Sequence, residues 1–345
     1  MEKIGQLYPL LFEDNFFLMV WGGHRLKPLK GLEADDEPVG ESWEVSAVPG
    51  KESVVKNGAL AGRTLTDLVQ AYGEQLLGKK VVQLYGLTFP LLIKLIDAAR
   101  DLSIQVHPDD RLAQARHDSL GKTEMWFVMD AEPGSYLYSG FKSSISKYEY
   151  KKRIEDGSIC DVLQRHDVKR GDVFFIPAGR IHAIGGGILI AEIQESSDIT
   201  YRIFDYNRLG LDGRPRQLHT ELAEDAIDYK VYDSYLTNYE ERINKPVSVT
   251  ECPYFTVKIH NITRSFHRKL YKYDSFVVYL CLEGTCRVES NVADAGSSSE
   301  RSVTLTKGCS CLIPAAVADI NLVPCNDRRT AKILEVYIDN KHFNR

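Results

Sequence analysis

No apolar stretch of this chain approaches the roughly 20 residues that a membrane-spanning helix needs, so no segment reads as transmembrane. The opening MEKIGQLYPLLFEDNFFLMVWGG does not read as a secretory signal either. It places acids where such a signal has basic and then unbroken apolar residues. An excess of positive charge is also lacking: 43 Lys and Arg stand against 48 Asp and Glu, a net −5. That argues against a general nucleic-acid or anionic-membrane surface, and any anionic ligand must be held by local Lys and Arg. The seven cysteines include no CxxC pair, and six of them (Cys252, Cys281, Cys286, Cys309, Cys311 and Cys325) fall in the last hundred residues. Reduced thiols in a cytoplasmic protein are the expectation, with a Cys309/Cys311 metal site as the lesser alternative.

What is present suits an ordinary globular protein. The 345 residues suffice for two domains or one large composite one, at 43% apolar and 26% charged content. Strand signals dominate. Trp43 and Val45 alternate with Glu44 and Ser46, predicting a strand over Trp43–Val48, and another covers Met125–Met129. A helix is expected from Thr64, capped with Asp67, through Leu65, Leu68, Val69, Tyr72 and Leu76 to Gly78. A second starts at Ser146 with Glu149 completing a capping box and stops at Gly157; a third spans Thr220 to about Tyr229. Between them run short Val-, Ile-, Phe- and Tyr-rich segments closed by Gly, Pro and Asp turns, as in a β-sandwich or small barrel.

The segment KRGDVFFIPAGRIHAI (Lys169 to Ile184) aligns without gaps on TKGCSCLIPAAVADIN (Thr306 to Asn321). Gly171 matches Gly308, Ile176 matches Ile313, Pro177 matches Pro314 and Ala178 matches Ala315. Ala316 replaces Gly179, and Asp319 replaces His182. The expected architecture is mainly β: two related β-barrels with a few inserted α-helices. Residues 1–235 form the metal-binding domain, and residues 236–345 a degenerate barrel that has lost the ligand. Ala293 to Arg301 reads as a loop in that second barrel.

Four residues suggest a metal cage. Gln105 and His107 in SIQVHPDD are two apart, so on an extended strand both point to one face. Glu124 opens the next strand-like run. His182 ends a Gly-x5-Pro-x-Gly-x2-His pattern made by Gly171, Pro177, Gly179 and His182. Two imidazoles, a carboxylate and an amide oxygen suit a divalent ion such as zinc, with a position left for water or substrate. The other histidines are read as non-ligands. Further on, Ile188, Ile190, Glu192 and Gln194 share one face, which sets Glu192 among apolar neighbours where a carboxylate is costly unless paired or used. Arg202 can return beside it after the Ser196-Ser197-Asp198 turn, as a catalytic partner or a structural ion pair. Lys122 can face the same cavity as Glu124. Lys94, a cation within FPLLIKLIDA, is either functional or snorkelling to the surface.

Together these segments resemble the type I mannose-6-phosphate isomerases of the short bacterial kind, zinc enzymes of the cupin superfamily. The resemblance runs over nearly the whole chain, through VWGGHRL, GESWEVSA, FPLLIKLIDA, LSIQVHPDD, GKTEMW, PAGRIHAI and the Glu192–Arg202 segment. It implies that the two barrels are cupin-like β-barrels (jelly rolls), that Gln105, His107, Glu124 and His182 bind one Zn2+ per chain and that Arg202 is the essential arginine. Lys122, Glu192 and Ser103 correspond to other pocket residues, with Lys94 a further cationic contact for a sugar phosphate. The implied reaction interconverts mannose 6-phosphate and fructose 6-phosphate by proton transfer through an enediol(ate). Glu192, with a pKa raised by burial, is the expected shuttle, and a zinc-bound hydroxide or Lys122 the alternatives. The larger helical insertion of many type I enzymes has no room here.

Two other classes stay open on sequence. A cupin Fe(II) oxygenase also uses two histidines and a carboxylate, although Gln105 as a fourth ligand leaves less room for oxygen and cosubstrate. A non-catalytic sugar-phosphate-binding cupin is the other.

Overall fold

A computed structural model describes residues 6–290, 301–325 and 330–339. The loop expected at Ala293–Arg301 lies outside the described residues except for Arg301. Seven α-helices occur among them: α1 (Leu26–Leu29), α2 (Leu65–Tyr72), α3 (Glu74–Leu77), α4 (Lys79–Tyr85), α5 (Asp110–His117), α6 (Lys147–Glu155) and α7 (Thr220–Ala226). Strands dominate, as expected, and no described helix is long and apolar enough to cross a membrane.

The chain forms two compact units, each built from separate stretches. One comprises residues 16–42 and 92–237, the other 1–15, 43–91 and 238–345. The first carries strand β1 (Phe16–Gly23), residues 39–42 of β2 (Val39–Val45), β3 (Leu91–Ala98) from residue 92, β4 (Ile104–Val106), β5 (Glu124–Ala131) and β6 (Tyr136–Phe141). It continues with β7 (Leu163–Asp167), β8 (Val173–Ile176), β9 (His182–Ile184), β10 (Ile188–Glu195) and β11 (Tyr201–Phe204). They make a six-stranded sheet, β1-β2-β3-β10-β5-β8, and a five-stranded sheet, β11-β4-β9-β6-β7.

Alternation along these strands decides where the core lies. Trp126, Val128, Ile188, Ile190, Phe174 and Ile176 of the first sheet pack against Leu137 and Ile184 of the second, forming an apolar interior. On the same faces, one or two positions along each strand, the side chains turn polar: Glu124 on β5, Glu192 on β10, Lys94 on β3, His182 on β9 and Ser139 on β6. The opposite face of the five-stranded sheet, with Ile104, Val106, Ala183, Tyr201 and Ile203, is covered by Tyr150 of α6 and Ala223 of α7. One end of the barrel is therefore greasy and the other polar.

The second unit carries β12 (Val247–Glu251), β13 (Thr256–Ile262), β14 (Phe266–Lys269), β15 (Val277–Ser290), β16 (Ser302–Thr306), β17 (Ser310–Ile313), β18 (Asp319–Pro324) and β19 (Ala331–Tyr337) in one eight-stranded sheet. The repeat seen in the sequence has a structural counterpart. Strands β8 and β17 begin at the aligned positions Val173 and Ser310, and β9 and β18 at His182 and Asp319. Residues 6–15 join this unit through Leu10, which pairs with Leu312 by two backbone hydrogen bonds of 2.8 and 2.9 Å. Helix α3 joins it because the Leu77 carbonyl accepts from Phe276 N–H at 3.1 Å.

Several local expectations shift. The strand expected over Trp43–Val48 starts earlier, at Val39, and ends at Val45; the Ser46 hydroxyl accepts the Val48 N–H and turns the chain there. Thr64 and Asp67 form the reciprocal capping box. The helix they start breaks at Gly73, whose φ of +46° is outside helical space, and resumes as α3 and then α4. Ser146 caps α6, but the Glu149 carboxylate accepts from Arg153 rather than completing a box. Helix α7 stops at Ala226, where Asp228 N–H is drawn to the Gly179 carbonyl. The Pro108-Asp109-Asp110 turn is also a helix start: Asp109 accepts from Leu112 N–H and caps α5.

Candidate metal centre and active site

Arg202 on β11, Gln105 on β4, His182 on β9 and Ser139 on β6 are successive cross-strand partners. Opposed residues of an antiparallel ladder share a face, so these four form one row. On the other sheet Glu124 is opposite Gln194 of β10 and Ile176 of β8. His107 follows β4 directly, and its carbonyl accepts the Gly179 N–H at 2.9 Å. That bond ties the two histidine segments together. It depends on the Pro177–Arg180 turn, in which Gly179 takes a φ of +87° and a Cβ would meet the Ala226 carbonyl at 3.0 Å.

His107 Nε2 lies 3.6 Å from Glu124 Oε2, and His182 Nε2 lies 3.3 Å from Glu124 Oε1. All three side chains are buried. The far nitrogen of each ring is fixed. His107 Nδ1 sits 2.9 Å from the Ile199 carbonyl and His182 Nδ1 2.8 Å from the Arg180 carbonyl. A carbonyl only accepts, so each Nδ1 carries the hydrogen and each Nε2 turns a lone pair toward Glu124. Burial above all keeps the rings neutral: it pushes His182 down to about 3 and His107 well below its ordinary value, with Lys122 adding to both. Burial pushes Glu124 the other way, to about 8, against the pull of Lys122. Neither Glu124 oxygen accepts a hydrogen bond.

Lys122 and Gln105 each bring a nitrogen within 3.2 Å of one Nε2, but the buried Glu124 oxygens keep no hydrogen bond, which is costly. A divalent cation removes that cost, and the two Nε2 atoms with the carboxylate suit one. Among the described residues this is the one His/Cys/Asp/Glu group so arranged, and it includes none of the seven cysteines, which form no disulfide. Gln105 presents its amide nitrogen, 3.2 Å from His182 Nε2. A half-turn of that amide would bring its oxygen in as a fourth donor.

Lys122 Nζ stands 3.3 Å from Glu124 Oε2 and 3.2 Å from His107 Nε2, on the cage side of the cavity. Glu192 is held on both oxygens: Oε1 accepts from Trp126 Nε1 at 2.9 Å, and Oε2 is 3.5 Å from Lys94 Nζ. Lys94 is itself 3.6 Å from Glu41 and is buried, so it does not snorkel. The expected upward shift of Glu192 is not found. Burial raises its pKa, but Lys94, Lys122 and the Trp126 N–H outweigh it and hold the carboxyl below its ordinary value. For Lys94, burial is outweighed in turn by Glu41, Glu192 and Glu124, which raise it. Both groups are therefore charged.

Arg202 does not pair with Glu192. Its Nη1 donates to the Gln217 carbonyl at 2.9 Å, its backbone bonds to His219, and its Nε is buried without a hydrogen-bond partner. The row of β11, β4 and β9 instead places it beside Gln105. Ser103 is buried two residues before Gln105, just ahead of β4. Two residues at the site escaped the sequence reading. Trp126 was recoverable, since it lies two residues after Glu124 on one strand; Glu41, inside GESWEVSA, carried no such signal.

Comparison with known proteins adds a separate line of evidence. Residues 19–136 match the family described as phosphomannose isomerase type I, catalytic domain, and residues 246–323 match the mannose-6-phosphate isomerase cupin domain. The probable mannose-6-phosphate isomerase GmuF of Bacillus subtilis (strain 168) is 37% identical, over 82% of this chain and 89% of its own. Mannose-6-phosphate isomerase ManA of the same strain is 35% identical, over 91% and 95%. The crystal structure of a Bacillus subtilis mannose 6-phosphate isomerase superposes with a TM-score of 0.83 at 30% identity, covering 95% of this chain and 99% of that one.

Proposed function

Because this chain belongs to the type I phosphomannose isomerase family, we propose that it interconverts mannose 6-phosphate and fructose 6-phosphate, using one zinc ion per chain held by Gln105, His107, Glu124 and His182. The observation that carries the metal assignment is the pair of Glu124 oxygens, buried and accepting no hydrogen bond between two imidazole nitrogens. When bound, the ion supplies a Lewis acid against the negative charge that gathers on the sugar's O1 and O2.

The chain's own groups handle the proton. Glu192 is ionised at rest and so able to accept one. In this reading its carboxylate takes the hydrogen from C2 of the open-chain aldose and returns it to C1, while the O2 hydroxyl proton passes to O1. Lys122 and Lys94 set positive charge beside the oxygens as the enediolate forms. Arg202 keeps Nε and one amino group unbonded, which fits a fork contact to phosphate or to the enediolate oxygens. Ser103 lies one turn of the extended chain from Gln105, in reach of the same ligand. The substrate is a sugar phosphate, and a cytoplasmic site of action follows from the same reading.

The test is turnover of mannose 6-phosphate by Arg202→Lys. A lysine cannot make the fork, so kcat/KM should fall at least about a hundredfold with the unfolding midpoint nearly unchanged. A specificity constant within about twofold of wild type would remove Arg202 from the mechanism.

A further inference from the structure

Trp126 is a buried indole with two engagements in the site. Its N–H donates to Glu192 Oε1 at 2.9 Å, and its ring meets His182 edge-on with centroids 5.2 Å apart. It is also the direct cross-strand partner of Glu192. The carboxylate thus has one oxygen bonded to a rigid, packed donor and the other beside a lysine. Nothing in the proton transfer requires an aromatic side chain at that point.

The second unit contains the same device. ILIAEIQ (Ile188 to Gln194) and AKILEVY (Ala331 to Tyr337) both carry a glutamate at the fifth position, so Glu335 stands for Glu192. The cross-strand partner of Glu335 is Tyr279, whose own partner on the far side is Cys311. Trp126 has Phe174 on its far side, and Phe174 is the residue that the sequence repeat aligns with Cys311. The registers therefore agree independently. The Tyr279 hydroxyl donates to Glu335 Oε2 at 2.7 Å. Two different aromatics meet one requirement: a donor aimed at the buried glutamate from the opposite strand.

We propose that Trp126 is a positioning residue for the isomerisation, its indole N–H holding the Glu192 carboxylate in the orientation from which it transfers the proton. This rests on Glu192 being the proton carrier. The indole contributes no proton; it fixes the rotation of the carboxylate and satisfies an oxygen that would otherwise be buried without a donor. The second unit indicates what can replace it, a phenol at the same register.

The experiment compares Trp126→Phe, Trp126→Tyr and Glu192→Gln, with metal content measured on each. Trp126→Phe removes the donor but keeps a ring against His182. It should lower kcat roughly ten- to hundredfold, the range for losing a hydrogen bond to a charged group, with KM changed less than about twofold. The acid limb of its kcat profile should move to higher pH, because the lost donor favoured the charged form. The other charged and titratable groups around Glu192 (Lys94 of β3, Glu41 of β2, Lys122, Glu124 of β5 and His182 of β9) are the same in the wild type and in both Trp126 variants. Trp126→Tyr should recover most of the rate and return the acid limb. Should Trp126→Phe lose metal or fold poorly, 3-benzothienylalanine at position 126 keeps the ring shape and deletes only the N–H, and the same loss is expected.

With Glu192→Gln inactive, wild-type kcat and an unmoved acid limb in the donor-free proteins overturn the positioning role. A fully active Glu192→Gln overturns the reading of Glu192, and the role of Trp126 with it.

Discussion

Glu192 and Glu195 lie three residues apart on β10, point to opposite faces and end in opposite charge states. Glu192 meets Lys94 and a Trp126 donor and stays ionised. Glu195, 2% exposed, accepts the Thr123 backbone N–H at 2.7 Å and feels the charge of Asp110. Burial first, and Asp110 second, push it up to about 8. The consequence for stability has a definite sign. Below pH of about 4.5 the acid is protonated both folded and unfolded, and the fold carries no penalty. As pH rises toward 8 the unfolded chain ionises while the fold does not, and stability is lost across that window. Glu195→Gln should therefore gain on the order of 2 kcal/mol at pH 7.5 and little near pH 4.5. Urea midpoints at the two pH values check this; equal changes at both would mean that Glu195 is ionised in the fold. At this scale the sequence singled out His107, Glu124 and His182, whose ligand atoms the fold gathers within 4.8 Å, because ligand-type side chains in short motifs are a local signal. Charge states were not. The partners that decide them, Lys94 for Glu192 and Asp110 for Glu195, come from other strands or loops.

Caps were readable among the elements and interruptions were not. Thr64 with Asp67 and Ser146 each start a helix where the sequence put one, since a side-chain acceptor ahead of an apolar period is a local signal. The break at Gly73 was hidden by helical spacing that continues through Leu76. Helix α5 was missed because DRLAQARH offers Ala113 as its one buried residue and so little apolar period. The strands of the second unit hold a buried polar element that no pattern announced. Glu335 of β19 is fully buried and accepts from Arg268 at 2.8 and 2.6 Å, from Tyr279 at 2.7 Å and from Tyr273 at 3.0 Å, with His260 3.3 Å away. Burial raises its pKa, but His260 and Arg268 hold it far below the usual carboxylate range. Its stabilising effect is thus present above pH of about 4.5 and fades as pH falls. Arg268→Met leaves this buried charge without its main partner and should cost about 3 kcal/mol at pH 7 by denaturant unfolding. A loss under about 0.5 kcal/mol would show that the tyrosines and His260 suffice.

At the scale of the molecule, the internal repeat was the most informative feature of the sequence. Sixteen aligned positions correspond in structure to strands that start at matching residues, with Asp319 at the place of His182. What the repeat could not reveal is how chain segments are shared between units. Residues 43–91 lie between two stretches of the metal-site unit yet group with the C-terminal one, through pairings of residues far apart in sequence such as Phe276 with Leu77. The proposed chemistry rests on a cation held at the polar end of the metal-site unit, where the buried Glu124 oxygens accept no hydrogen bond between two imidazoles. That claim is tested most directly by titrating bound metal against turnover of mannose 6-phosphate while a chelator strips the protein. Activity should fall in proportion to metal, extrapolate to one ion per chain, and return when zinc is added back. Full turnover from protein with almost no bound metal would contradict it.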